Sequence, residues 1–264
     1  MWRLFCFWFF STFAINMKTE FIHNVSQTQT PSSLDSAEVR SLFLTEDGSH
    51  TLYLSEIDEC YHSTHGAIQE SRHIFIEAGL KQCVKSEINV LEIGFGTGLN
   101  AFLTMIEAEK IGKRICYTSL EKYPVSIENL FQLNYPNEIA TANRENFEKL
   151  HTSEWNENVQ ISPFFSLKKI EADFTSFTIN EMFDVIYFDA FSPEKQPEMW
   201  TEELFKTLFT HCNTDAILTT YCAKGFVRRA MQAVGFEVER LPGPPGKREI
   251  LRARKSILSF SAIS

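Results

Sequence analysis

Val90-Leu91-Glu92-Ile93-Gly94-Phe95-Gly96-Thr97-Gly98-Leu99-Asn100 decides how this chain is read. Apolar residues at 90–93 make a short strand, three glycines follow at alternate positions, and Leu99-Asn100 opens a helix. Glycine tolerates φ > 0 and lets the backbone lie close to a ligand. The helix start offers unpaired N–H groups. Such a turn belongs at the carboxyl end of the first strand of a doubly wound sheet, where nucleotide-like ligands bind. The spacing is G-x-G-x-G, not the G-x-G-x-x-G of dinucleotide folds. Glu92, two places before the first glycine, repels a pyrophosphate and suits a cationic ligand. S-adenosylmethionine carries a sulfonium and an amino group and no phosphate. A tight strand-to-helix turn with no ligand has the same local pattern, so the rest of the chain must decide.

Downstream of this turn, strand and helix patterns alternate. Strands are predicted at 115–120, 167–172, 183–188 and 216–220, and helices at 99–110, 125–133, 201–209 and 225–234. Segments 236–239 and 250–253 end the sheet. This alternation implies a parallel α/β sheet with right-handed crossovers. Upstream, 41–44 and 50–54 flank Thr45-Glu46-Asp47-Gly48-Ser49, where Asp-Gly signals a β-hairpin. A polar loop at 61–66 leads to a helix over 67–76. The expected division is an N-terminal segment 1–40, a hairpin-and-helix extension 41–85, and a Rossmann-like α/β domain 86–258. An insertion near 134–166 should pack on the body through Trp155, Phe164 and Phe165. His62, His65 and His73 share no ligand spacing with a carboxylate or cysteine, so they read as loop and surface histidines and no metal is expected.

With 264 residues, 44% hydrophobic and 22% charged, the composition is that of an ordinary globular protein. Six scattered cysteines without a C-x-x-C suggest neither a zinc site nor a disulfide framework, and fit a reducing compartment. Arg3 followed by Leu4 to Phe10 looks like the charge and apolar core of a signal peptide, too short to span a bilayer. The favoured alternative is an upstream start codon, with Met17 as the first residue of a cytoplasmic enzyme. Residues 24–36, rich in Ser, Thr and Gln, read as a flexible lead-in.

Four acidic residues fall where predicted strands stop: Glu92, Glu121, Asp173 and Asp189. Strand carboxyl ends face the ligand crevice of such a sheet. Glu121 stands where an acid accepts both ribose hydroxyls. Asp173 is placed to accept from an adenine amino group, with Phe174 packing on the ring. Each alone is equally a helix N-cap, but four in register with the glycine turn favour a ligand site. Residues 189–200 carry Asp189, Phe191, Pro193, Lys195 and Trp200 in a proline-stiffened loop that suits an acceptor pocket. Asp189 is the candidate for orienting an amine and taking its proton. Net charge is −9, yet residues 222–255 hold nine Lys or Arg against three Glu. By charge alone this basic end is equally a solvated helix face with a basic tail, but the stiff loop 242–248 presenting two cations favours RNA. Lys224, Arg228, Arg229, Lys247 and Arg248 are therefore expected to contact RNA phosphates, with Phe191 and Trp200 as platforms for a splayed-out base.

The segments 92–100, Glu121-Lys122-Tyr123-Pro124, 189–200, Phe226-Val227-Arg228-Arg229 and Lys247-Arg248-Glu249 together resemble the MnmC-like methyltransferase family, over roughly residues 42–253. The resemblance implies a Rossmann-like enzyme that uses S-adenosylmethionine to methylate the aminomethyl group of a tRNA wobble uridine. It implies cofactor contacts from Glu92, Gly94, Gly96, Glu121 and Asp173, and extends the expected cofactor set to Gly98, Asn100, Lys122 and Phe174. Asp189 then faces the amine. No second dinucleotide fingerprint follows, so a flavin oxidase half is not expected, and a separate enzyme is expected to supply the aminomethyl intermediate. Two other functions share these features. One is aminopropyl transfer to a small amine, which the basic end disfavours. The other is a non-catalytic RNA-binding module on a methyltransferase fold.

Overall fold

The computed structural model describes residues 40–139 and 143–256; the segment 1–16 and the lead-in 24–36 lie outside the described residues. Strands β1 (Arg40–Leu44) and β2 (His50–Leu54) form the expected hairpin, and a two-residue strand β3 (Glu59–Cys60) extends it to a three-stranded antiparallel sheet. Asp47 holds the hairpin turn by accepting from the Ser49 amide at 3.0 Å. The helix expected over 67–76 divides into α1 (Ala67–Ser71) and a π-helical segment, Arg72–Glu77. That wider turn buries three consecutive residues, Ile74, Phe75 and Ile76, which an α-helical turn would spread round its circumference.

The main body continues with β4 (Glu87–Ile93), α2 (Leu99–Ile111), β5 (Arg114–Glu121), α3 (Ile127–Leu130), α4 (Tyr135–Ile139), α5 (Arg144–Thr152) and β6 (Asn158–Ser162). It ends with β7 (Phe165–Glu171), β8 (Phe183–Phe188), α6 (Glu202–Thr210), β9 (Cys212–Thr220), α7 (Gly225–Ala233), β10 (Glu237–Pro242) and β11 (Glu249–Arg254). The sheet order is β10-β11-β9-β8-β4-β5-β7-β6. Strands β9, β8, β4, β5 and β7 run parallel. The sheet is mixed rather than wholly parallel, because the β10–β11 hairpin closes one end and β6 the other, all antiparallel. Strand β6 comes from the insertion near 134–166: a short return from β6 to β7 permits only antiparallel pairing.

Alternation along the strands feeds two cores. Val90, Val185, Tyr187 and Ile217 pack under α2, α5 and the π-helical segment. Leu91, Ile93, Ile186, Phe188 and Leu218 pack against α6 and α7. The period-2 pattern of a strand buried on both faces produces this three-layer arrangement. The helix expected over 125–133 shortens to the single turn α3, because Asn134 leaves it to grip the hairpin. Its side-chain Nδ2 donates to Gly48 O and its Oδ1 accepts from the His50 amide, both at 2.8 Å. Strand β4 lies between β5 and β8, and the chain reverses direction across the sheet there. Ligand crevices form at such a switch point.

Candidate active site

A cavity of about 640 Å³ opens over the carboxyl ends of β4, β5, β7 and β8. Its floor is the glycine turn. Gly94 has φ 95°, and a Cβ there would lie 2.7 Å from the Asp189 carbonyl oxygen, so no side chain fits. The Asp189 amide donates to Ile93 O at 3.0 Å, and the Gly94 amide to Leu120 O at 2.9 Å. The turn therefore clamps the ends of β4, β5 and β8 together. Glu121 lines the cavity and accepts from the Gly96 amide through Oε2 and from the Tyr123 amide through Oε1, each at 2.9 Å.

Three expected cofactor contacts are placed differently. Glu92 is fully buried and does not line the cavity. Its position in β4 puts it on the Val90 face, beneath the start of α2, where Oε2 accepts from Ser119 Oγ at 2.6 Å. Burial, reinforced by the charge of Asp189, pushes its carboxyl up to about 8. Gly98 also lies outside the cavity. It caps α2 with φ 70°, and a Cβ would meet the His151 ring at 2.5 Å. Asn100 is buried, and its Nδ2 donates to Asp189 Oδ2 at 2.8 Å. It positions Asp189 from below instead of reaching a ligand.

Asp173, Phe174 and Lys122 do line the cavity. Asp173 is not a bare acceptor: Lys122 Nζ stands 2.9 Å from Oδ2, and Oδ1 accepts from the Thr175 amide and hydroxyl at 2.9 and 2.7 Å. The Lys122 hydrogen bond, then that of Thr175, holds this carboxyl down at about 2. Phe174 is buried against Phe188, centroids 6.5 Å apart.

On the acceptor side, Asp189 is half-buried at the cavity wall. Burial pushes its carboxyl up to about 7, opposed by the Asn100 hydrogen bond. The following loop is tied at several points. Tyr221 OH donates to Ala190 O at 2.9 Å, Gln196 Oε1 accepts from the Phe191 amide at 3.1 Å, and Ser192 Oγ donates to Glu59 Oε2 at 3.1 Å. Phe191 meets Tyr61 edge-on at 5.2 Å between centroids, and both line the cavity with Lys195. Trp200 corrects the sequence expectation. It is 3% exposed, packs on Phe188 and Tyr221, and spends its indole N–H on Phe191 O at 2.9 Å. A side chain so enclosed offers no face to a base. Pro193 is likewise buried.

The basic end is less available than its composition implies. Lys224 pairs with Glu194, Arg240 with Glu249 and Arg252 with Glu239. Lys255 is buried and donates to Phe209 O and Cys212 O, each at 2.9 Å. Lys247 lines the cavity and pairs with Glu70 at 3.3 Å, which removes it from the expected phosphate contacts. Arg228 is half-buried, with Nε lacking a hydrogen-bond partner among the described residues, while Arg229 and Arg248 are exposed. Sequence reasoning missed Tyr61, Glu70 and Tyr221. They reach the cavity from distant elements and carry no local motif. Among the described residues no cluster of three His, Cys, Asp or Glu is placed to hold a metal ion.

A parallel-cored sheet with a glycine turn at its switch point, and acids at the ends of β5, β7 and β8, is the Rossmann-like fold of S-adenosylmethionine-dependent methyltransferases. Comparison with known proteins agrees. A family described as S-adenosyl-L-methionine-dependent methyltransferase matches residues 129–256. The tRNA 5-methylaminomethyl-2-thiouridine biosynthesis bifunctional protein MnmC of Cupriavidus metallidurans is 30% identical over 236 residues, covering 80% of this chain and 33% of that protein. Its counterpart in Aeromonas hydrophila is 32% identical over 228 residues, covering 76% and 33%. This chain therefore spans about a third of the length of these curated relatives. The crystal structure of MNMC2 from Aquifex aeolicus superposes with a TM-score of 0.67 at 25% identity, covering 83% of this chain and 70% of that one. Spermidine synthase from Thermotoga maritima shares the fold, with a TM-score of 0.58 at 13% identity, covering 88% and 74%. In sequence and fold this chain is similar to these MnmC proteins over about four fifths of its length.

The residues present fit S-adenosylmethionine. The cavity gathers Glu121, Asp173 and Asp189 beside the glycine turn, without a basic cradle for phosphates there. When bound, the cofactor supplies an electrophilic methyl group.

Proposed function

We propose that this protein N-methylates the aminomethyl group of a modified tRNA wobble uridine, converting 5-aminomethyl-2-thiouridine to 5-methylaminomethyl-2-thiouridine. The observation that carries the proposal is Asp189. It closes β8 at the cavity wall, fixed by Asn100 below and by the Gly94 turn beside it. A carboxylate so held orients a neutral amine and takes up the proton released after methylation. Alignment of the reacting atoms supplies much of the rate, up to roughly 7–11 kcal/mol in well-oriented systems. In this reading Gly94, Gly96, Glu121, Lys122, Asp173 and Phe174 hold the cofactor, and Phe191 and Lys195 border the entering base. Arg228, Arg229 and Arg248 lie towards tRNA phosphates near the anticodon.

The printed names of the MnmC relatives support this substrate. They favour it over aminopropyl transfer, as does the placement of a lysine, Lys247, inside the cavity, where it opposes a polycationic acceptor. A tRNA substrate puts the enzyme in the cytoplasm, and among the described residues no helix is long and apolar enough to cross a membrane. The test is incubation with methyl-labelled S-adenosylmethionine and tRNA lacking the modification, followed by nucleoside analysis. The expected product is labelled 5-methylaminomethyl-2-thiouridine. Cofactor binding without label in that nucleoside overturns the assignment.

A further inference from the structure

The acceptor side of the cavity holds a charge pair with no part in the steps above. Glu70, on α1, lines the cavity and is 8% exposed. Its Oε2 accepts from the Ser63 amide at 2.8 Å. Its Oε1 has no directed hydrogen-bond partner among the described residues and stands 3.3 Å from Lys247 Nζ. Lys247 enters from the β10–β11 loop and lies over the Tyr221 ring at 4.8 Å. That loop is closed by the Gly243 amide on Arg248 O at 3.1 Å and the Lys247 amide on Pro244 O at 2.9 Å. A Cβ on Gly246 would collide with His65, so the loop sits hard against the N-terminal extension. Tyr221 in turn donates to Ala190 O, one residue beyond Asp189.

Asp189 consequently feels the negative charge of Glu70 and the positive charge of Lys247. The other titratable groups coupled to it are Glu92 on β4, Tyr117 on β5 and Tyr221 after β9. Two carboxylates facing one small pocket favour an ammonium guest, and an ammonium has no lone pair to attack with. Lys247, paired with Glu70, cancels one of those two charges and so weakens that preference. We propose that Lys247, seated by Glu70, is a specificity-determining residue that selects an uncharged primary amine and keeps Asp189 ionised beside it. This rests on the amine-acceptor role given to Asp189 above.

The pair predicts opposite effects from its two members. Lys247→Met leaves Glu70 and Asp189 uncompensated, so Asp189 and the bound amine hold their protons to higher pH. Glu70→Gln leaves Lys247 unopposed and moves both the other way. Lys247→Arg retains the charge. The experiment follows the Asp189 carboxyl by carbon-13 NMR in protein loaded with S-adenosylmethionine, beside the pH dependence of kcat for tRNA methylation. Folding of each variant is checked by thermal melting.

The Asp189 titration and the acid limb of kcat are expected to rise by about one pH unit in Lys247→Met, the size of one nearby charge. They should fall in Glu70→Gln, return to near wild type in the double variant, and stay in place in Lys247→Arg. An Asp189 titration unmoved in both single variants overturns the proposal. So does a Lys247→Met protein whose sole defect is weaker tRNA binding with a smaller salt dependence, which makes Lys247 a phosphate contact. Shifted titrations in a protein that leaves tRNA unmethylated uphold the pair and count against the substrate assignment alone.

Discussion

Replacing Asp189 by Asn should stabilise the protein while nearly abolishing its chemistry. The folded state pushes the Asp189 carboxyl up to about 7 through burial, against about 3.9 in an unfolded chain. The folded protein thus binds this proton more tightly than the unfolded chain does. The stability contribution is fully present below about pH 4 and is lost as pH rises through about 7. The full difference corresponds to roughly 4 kcal/mol. The carboxyl opens onto a cavity and keeps part of its hydration, so about half of that, ~2 kcal/mol, is the expected cost of ionised Asp189 at pH 8.

Asparagine keeps an oxygen to accept from Asn100 Nδ2, now at 2.8 Å from Asp189 Oδ2, and carries no charge. Asp189→Asn should therefore melt about 4–8 °C above wild type at pH 8, with the gain shrinking towards pH 4. Loss of the carboxylate should lower single-turnover methylation by about 10²–10⁴-fold, the usual span for a general base. tRNA and cofactor affinity should be retained. The assays are melting curves from pH 4 to 8 and rapid-quench methylation at saturating tRNA. A pH-independent melting difference refutes the burial argument, and normal methylation removes Asp189 from the mechanism.

Gly94→Ala forces φ 95° on a residue with a Cβ 2.7 Å from Asp189 O. It should cost about 1–3 kcal/mol or more and abolish cofactor binding, as read by melting and calorimetry; unchanged affinity would place the cofactor elsewhere. Glu121→Ala removes the acceptor of the Gly96 and Tyr123 amides. S-adenosylmethionine binding should weaken by about 1.5–3 kcal/mol, measured by calorimetry. Trp200→Ala, at a side chain 3% exposed, should destabilise by about 3–5 kcal/mol and leave tRNA affinity of the folded protein unchanged, because the indole is a core residue. Arg229→Ala with Arg248→Ala should flatten the salt dependence of tRNA binding by about one unit of slope per lost contact, with cofactor affinity unaltered.

Much of this architecture is local and therefore legible in order of residues. The apolar run 183–188 coincides with β8, and the hairpin 41–54 and the starts of α2 and α7 fall where Asp-Gly and glycine signals put them. The glycine turn and the acids at 121, 173 and 189 also follow from chain order alone, since residues that close parallel strands gather at the carboxyl end of the sheet. Local pattern extends no further than that. Glu92 lies in the same run as the glycines, yet one-residue alternation in β4 turns it under α2, onto Ser119.

Lys247 and Arg248 are adjacent and chemically alike in sequence. The closed β10–β11 loop sends one into the cavity beside Glu70 and leaves the other exposed. Trp200, read as an open platform, is enclosed because the 3-10 turn Pro197–Trp200 rolls it under the acceptor loop onto Phe188. Glu70, Tyr221 and Lys247 come from segments more than twenty residues apart, and no spacing rule links them. Strand order and loop closure bring them to one side of Asp189. Charge compensation inside a cavity depends on distances through space, which only the folded chain sets, whereas the strand-turn-helix that makes the cavity possible depends on neighbours along the chain.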